Sequence, residues 1–203
     1  MKSTGQIEQE TGHSLSVVTD VTGGYLRGDE LNVLYSSADE LSPKVLVEIG
    51  ARTGTSSTVL GFVAKRHRGM LYSIEFNPAP TWPENVTRFG VSEFTQLIQA
   101  KSPQIDVTGL PFTAIDYLLL DGDHRIESVL ADYCFWSRLV RPGGRIAFHD
   151  YISQDGVNKA VAEILRTDSA MLEQVAFAVG SVVKGDNVLE LGLIVFEKHL
   201  GGT

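Results

Sequence analysis

The sequence has one cysteine, Cys134, so it can close no internal disulfide and gives no sign of an oxidising compartment. It has no apolar run near the roughly 20 residues of a membrane span. Its first residues lack the charged-then-apolar pattern of a signal peptide. Basic residues are the scarcer charge: 17 Lys+Arg against 25 Asp+Glu leave a net of −8. A surface of that sign repels phosphate backbones, which argues against a nucleic-acid partner. The one basic cluster, Lys65-Arg66-His67-Arg68, falls where a helix should end, and cations there complement the helix dipole. No internal repeat or low-complexity stretch stands out. These absences leave a cytoplasmic globular protein, and 203 residues suit a single core.

What is present is an alternation of short apolar runs with stretches of helical period, the pattern of a mostly parallel α/β sheet. Residues 1–23 begin polar and read as a flexible N-terminal arm, leaving 24–203 as one domain. Leu26, Leu31, Leu34, Tyr35, Ala38 and Leu41 recur at helical spacing up to Pro43. That apolar content suggests a lid or a contact for a homo-oligomer. Strands are expected at 44–49, 70–75, 94–99, 115–120 and 145–149, with helices at 56–68, 125–139 and 156–166. Arg141-Pro142-Gly143-Gly144 reads as a turn, and 173–183 with 188–197 as an antiparallel hairpin around Lys184-Gly185-Asp186-Asn187. Cys134, among Tyr133, Phe135 and Trp136, is expected to be a buried, inert thiol.

The loop Glu48-Ile49-Gly50-Ala51-Arg52-Thr53-Gly54 joins a buried strand to a helix. Gly50 permits a tight turn and close backbone approach to a ligand, and Gly54 stands at the helix threshold, where N–H groups point outward. Thr55, Ser56 and Ser57 offer capping hydroxyls. Glu75 ends the next strand 21 residues after Gly54, where an acid can accept from ribose hydroxyls. The spacing is not the G-x-G-x-x-G of a dinucleotide site, which argues against a nicotinamide oxidoreductase.

The most informative segment is Leu118-Leu119-Leu120-Asp121-Gly122-Asp123-His124, in which Asp121 emerges from the end of a strand. His149 and Asp150 repeat that placement after Ile146-Ala147-Phe148. If the two strands are neighbours, their terminal side chains converge on the crevice where open α/β sheets bind ligands. Converging carboxylates repel unless a proton or cation intervenes. Oxygen donors favour Mg²⁺, and ligation by His149 would shift the preference toward Mn²⁺ or Fe²⁺. His124 can titrate near neutrality and take a proton from a substrate hydroxyl. Asp123 reads as a helix N-cap, Asp132 as a structural residue on the polar side of its helix, and Tyr133 and Trp136 as core.

Taken together, Val47-Glu48-Ile49-Gly50 with Gly54, Asp121-Gly122-Asp123-His124, Arg141-Pro142-Gly143-Gly144 and His149-Asp150-Tyr151 resemble the class I S-adenosylmethionine-dependent methyltransferases. The resemblance is closest to the branch of cephalosporin-hydroxylase-type proteins and macrolide-sugar O-methyltransferases, and runs from about Gly24 to Lys198. It implies a Rossmann-like, seven-stranded, mostly parallel sheet with helices on both faces and a C-terminal antiparallel hairpin. It implies S-adenosylmethionine as cofactor, held by Glu48, Gly50, Gly54, Ser56, Glu75, Ser102 and Asp121, with Glu75 on the ribose and Ser102 bordering the adenine. Asp121, His149 and Asp150 then map onto a metal site, for Mg²⁺ or another divalent cation, and His124 onto the base. Two departures stand out. His149 replaces a second carboxylate, and Lys101 replaces an acid near the adenine amino group, where a cation cannot accept a hydrogen bond.

The function expected is metal-assisted O-methylation of a small hydroxylated molecule. A metal-independent enzyme with His124 as sole base and a non-catalytic cofactor-binding protein remain as alternatives. The loops 78–83, 105–111 and 151–155 carry no chemistry that identifies the acceptor.

Overall fold

The computed structural model describes residues 1–184 and 187–200. It opens with two short helices, α1 (Thr4–Thr11) and α2 (Leu15–Thr22), each stopped by a left-handed glycine, Gly12 and Gly23. The flexible arm expected over 1–23 is corrected here. Ser3 and Gln6 form a capping box on α1, and Ile7, Leu15 and Val18 are buried. A few apolar side chains at helical spacing suffice to dock a segment whose composition looks polar.

Helix α3 (Asp29–Asp39) buries Leu31, Val33, Leu34, Tyr35 and Ala38 against α1, α2, the helix Thr55–His67 and the sheet. Its apolar content is thus buried inside the chain. The α/β alternation follows: β1 (Val45–Ile49), α4 (Thr55–His67), β2 (Met70–Glu75), α5 (Trp82–Arg88), β3 (Thr95–Gln99), β4 (Ile115–Leu120), α6 (Ile126–Trp136), β5 (Val140–Phe148) and α7 (Asp155–Asp168). The chain ends with β6 (Leu172–Ala178), β7 (Ser181–Lys184), β8 (Asn187–Glu190) and β9 (Leu193–Lys198).

The main sheet has seven strands in the order β3-β2-β1-β4-β5-β9-β6. The first five are parallel and β9 runs antiparallel to both neighbours. Helices α3 and α4 cover one face and α6 and α7 the other, so central β1 and β4 are buried on both sides and read as unbroken apolar runs. Edge strand β3 exposes Gln96 and Gln99, which explains its polar sequence. The order reverses direction between β1 and β4, the position where such sheets open a ligand crevice.

Three local expectations change. The Arg141-Pro142-Gly143-Gly144 stretch lies within β5 as a bulge: Ile115 pairs with Val140 and Tyr117 with Arg145. The C-terminal hairpin divides into β6 and β9 in the main sheet and a separate pair β7–β8, while Gly185-Asp186, the centre of its expected turn, lies outside the described residues. Cys134 is exposed, because Val129, Tyr133 and Trp136 set the buried stripe of α6 and leave Cys134 off it. No helix among the described residues is long and apolar enough to cross a membrane.

Candidate functional site

The register of three strands assembles the site. Ile49 pairs with Leu120 and Leu120 with Phe148, so the residues that follow each strand emerge side by side. The Asp121 N–H donates to the Ile49 carbonyl at 2.9 Å. Gly50 has φ 93°, and a Cβ there would lie 2.1 Å from the Asp121 carbonyl oxygen. No other residue type allows these two loops to touch.

At the far end of the loop Gly54, at φ 92°, caps α4. The expected capping by Thr55, Ser56 and Ser57 does not occur. Thr55 pairs with Thr22, and Ser57 donates to Glu48 while accepting from Trp82 Nε1 at 2.8 Å. Glu48 is fully buried beneath the loop, its Oε1 accepting from Ser57 and from Ser73 at 2.5 Å. Burial pushes its carboxyl up to about 7, against the opposing pull of its serine partners.

Above this floor lies a cavity of about 910 Å³. Gly50, Ser56, Glu75, Ser102, Asp121, His124, His149 and Asp150 line it, whereas Glu48 and Gly54 support it from behind. Glu75 Oε2 accepts the Ala51 and Arg52 N–H groups at 3.1 Å, and Oε1 accepts that of Asn77 at 2.8 Å. At the other end the Ser102 hydroxyl is already committed, donating to Asp132 Oδ1 at 2.5 Å and accepting from Trp136 Nε1 at 2.9 Å. Lys101 and the exposed Arg52 also line the cavity, Arg52 standing 5.0 Å over the Tyr25 ring.

The strand-end cluster gathers as the spacing implied. Ligand atoms of Asp121, His124 and Asp150 all lie within 4.8 Å of one another. His124 Nε2 is 3.2 Å from Asp150 Oδ2 and 4.0 Å from Asp121 Oδ1. Asp150 adopts φ 59°, a left-handed conformation that aspartate tolerates better than most residues. His149 stands behind this trio, 2% exposed, with Nδ1 3.0 Å from Asp121 Oδ1. Burial lowers the imidazole pKa, yet Asp121, Glu30 and Asp150 outweigh it and hold His149 well above its ordinary value. Both ring nitrogens face carboxylates, Nδ1 toward Asp121 and Asp150 and Nε2 toward Glu30.

Asp123 does not cap α6, whose N-cap is Arg125. It accepts the Arg125 N–H at 3.1 Å and pairs with that guanidinium. Asp132, read as lying on the polar side of α6, is 7% exposed and faces the cavity. Its spacing from Val129 and Trp136 puts it on the buried stripe, a signal that was available. Glu30 was missed altogether, though it shares a helical face with Leu34 and Ser37.

Residues 47–151, just over half of the chain, match a family model described as a methyltransferase domain. A curated relative, an uncharacterized protein R132 of Acanthamoeba polyphaga mimivirus, is 33% identical over 101 residues, which are 45% of this chain and 41% of that protein. The chain therefore spans less than half the length of that relative. The fold is similar to that of cofactor-bound Rv0187 from MTB, with TM-score 0.65 at 19% identity over 89% of this chain and 86% of that one. It is also similar to TomG of Streptomyces achromogenes, an O-methyltransferase involved in tomaymycin synthesis, solved with SAM. There the TM-score is 0.63 at 14% identity over 97% and 91% of the two chains.

Proposed function

The chain belongs to the methyltransferase-domain family, and from that premise we propose that it is an S-adenosylmethionine-dependent O-methyltransferase acting on a small hydroxylated molecule. One observation carries the reading: Asp121, His124 and Asp150 meet on the wall of the same cavity that the Gly50 loop and Glu75 enclose. Its volume of about 910 Å³ suits a nucleoside-sized donor together with the reacting end of an acceptor.

When bound, S-adenosylmethionine supplies an electrophilic methyl group on its sulfonium, and the chain's task is to position it against the acceptor oxygen. Glu75 Oε1 accepts one backbone N–H and keeps a lone pair for a ribose hydroxyl. Lys101 cannot accept from the adenine amino group, but the carboxylate of Asp132 on the same wall can. Ser102 then borders the base without spending its hydroxyl on it.

Two carboxylates and one imidazole at these separations suit a divalent cation such as Mg²⁺ or Mn²⁺. Held by Asp121 and Asp150 with His124 beside them, it would lower the pKa of the acceptor hydroxyl. We assign His149 to the support of Asp121 rather than to ligation. A second reading has its own observation: His124 Nε2 lies 3.2 Å from Asp150 Oδ2, an arrangement that can orient the imidazole as base without a metal.

Calorimetry should show S-adenosylmethionine and S-adenosylhomocysteine binding, and NAD not; binding of NAD alone would overturn the assignment. Chelation and Asp121→Ala should each abolish turnover of a hydroxylated acceptor. Full turnover surviving both would transfer the chemistry to His124 and Asp150 alone.

A further inference from the structure

Glu30 is an expensive residue for α3 to carry. It is fully buried, and its Oε1 has no hydrogen-bond partner among the described residues. His149 Nε2 is in the same condition, and the two atoms lie 3.5 Å apart, an ion pair without hydrogen-bond alignment. An uncompensated buried carboxylate is strongly destabilising, and Asp29 already places an acid in the first turn of α3. The surroundings are nevertheless shaped to admit it. A Cβ on Gly180 would fall 2.2 Å from Glu30 Oε2, and the Arg27 N–H donates to that oxygen at 3.3 Å.

On its opposite edge the same imidazole meets the cavity cluster, with Nδ1 3.0 Å from Asp121 Oδ1 and 3.6 Å from Asp150 Oδ2. Carboxylate, imidazole and carboxylate therefore run in line from the buried side of α3 to the cavity wall.

We propose that Glu30 is a positioning residue, anchoring His149 from behind so that His149 holds Asp121 in the orientation that presents its carboxylate to a divalent cation. The inference rests on the metal-assisted reading above. Anchored at Nε2, the ring keeps Nδ1 against Asp121, and Asp121 loses its freedom to turn away. Outer partners of this kind fix the rotamer of a ligating carboxylate and sustain its affinity.

The test titrates MnCl₂ into the full-length chain by calorimetry, with S-adenosylhomocysteine binding and thermal melting measured alongside. Glu30→Gln keeps an acceptor and loses the charge, while Glu30→Met loses both. Mn²⁺ affinity should fall in that order, the Met variant binding about 10–100-fold more weakly than wild type with unchanged S-adenosylhomocysteine affinity. Gly180→Ala, which crowds the carboxylate without removing it, should weaken Mn²⁺ binding in the same direction and decides the matter if Glu30→Met does not fold. Folded variants that bind Mn²⁺ as wild type does would overturn the role of Glu30 and leave the metal reading standing. A wild type that binds no Mn²⁺ would remove both.

Discussion

Glu48 gives the sharpest test of how the floor of the site is built. Its carboxyl is fully buried, and burial raises it from 4.5 to about 7. The fold therefore prefers the neutral acid. The stability this contributes is complete below the unfolded value near 4.5 and is lost as pH rises through about 7. A raise of that size corresponds to about 3 kcal/mol, of which about 2 kcal/mol falls between pH 5.5 and 8.5. Glu48→Gln mimics the neutral form, since its amide oxygen can still accept from Ser57 and Ser73. Urea unfolding of both proteins at pH 5.5, 7 and 8.5 reads the difference directly, because every other titrating group is common to the pair. Wild type should lose about 2 kcal/mol relative to Glu48→Gln across that window. Parallel pH profiles would refute the reasoning, by showing that Ser57 and Ser73 stabilise the carboxylate enough to cancel its desolvation.

Gly50→Ala should destabilise the fold by about 3 kcal/mol or more and abolish S-adenosylhomocysteine binding, since it adds left-handed strain to a direct clash. Gly5→Ala is its control: open space surrounds that position in α1, so melting should stay level or rise. Ile7→Ala should cost about 2 kcal/mol or more and speed amide exchange across α1, while exchange in β1 and β4 stays slow. Unchanged exchange in α1 would mean that the segment is not docked by its apolar contacts.

What the sequence discloses depends on how local the determinant is. Central β4 is legible because both its faces are buried, so hydrophobicity alone marks it. The glycine loop and the strand-end residues Asp121, His124 and Asp150 are legible because their chemistry sits at the junction of a strand and a turn. Helix faces are harder, since Asp132 and Glu30 look like ordinary surface acids until their buried stripes are known. The surroundings of His149 are beyond reach for the same reason. Which way its ring faces depends on Glu30, delivered by α3, an element remote in sequence. The docking of α1 and α2 likewise rests on scattered side chains such as Ile7, Leu15 and Val18, too few to outweigh the polar composition around them.

The register of the sheet links these parts. Side chains alternate between faces along a strand, so a one-residue slip of β5 against β4 would carry either Asp150 into the place of His149 or His149 into that of Asp150. Either slip would leave only one of the two beside Asp121. The bulge at the start of β5 bears on that outcome from the far end of the strand. There Arg141 Nε donates to Asp116 Oδ1 at 2.5 Å, while Asp116 Oδ2 accepts from the Lys44 and Val45 N–H groups at 2.7 and 2.9 Å. One carboxylate thus ties β4 to the starts of both β1 and β5, the two strands whose ends carry Gly50 and Asp150. The Arg141-Pro142-Gly143-Gly144 segment, which reads as a simple turn, forms in the fold the bulge at which the register of β5 against β4 changes.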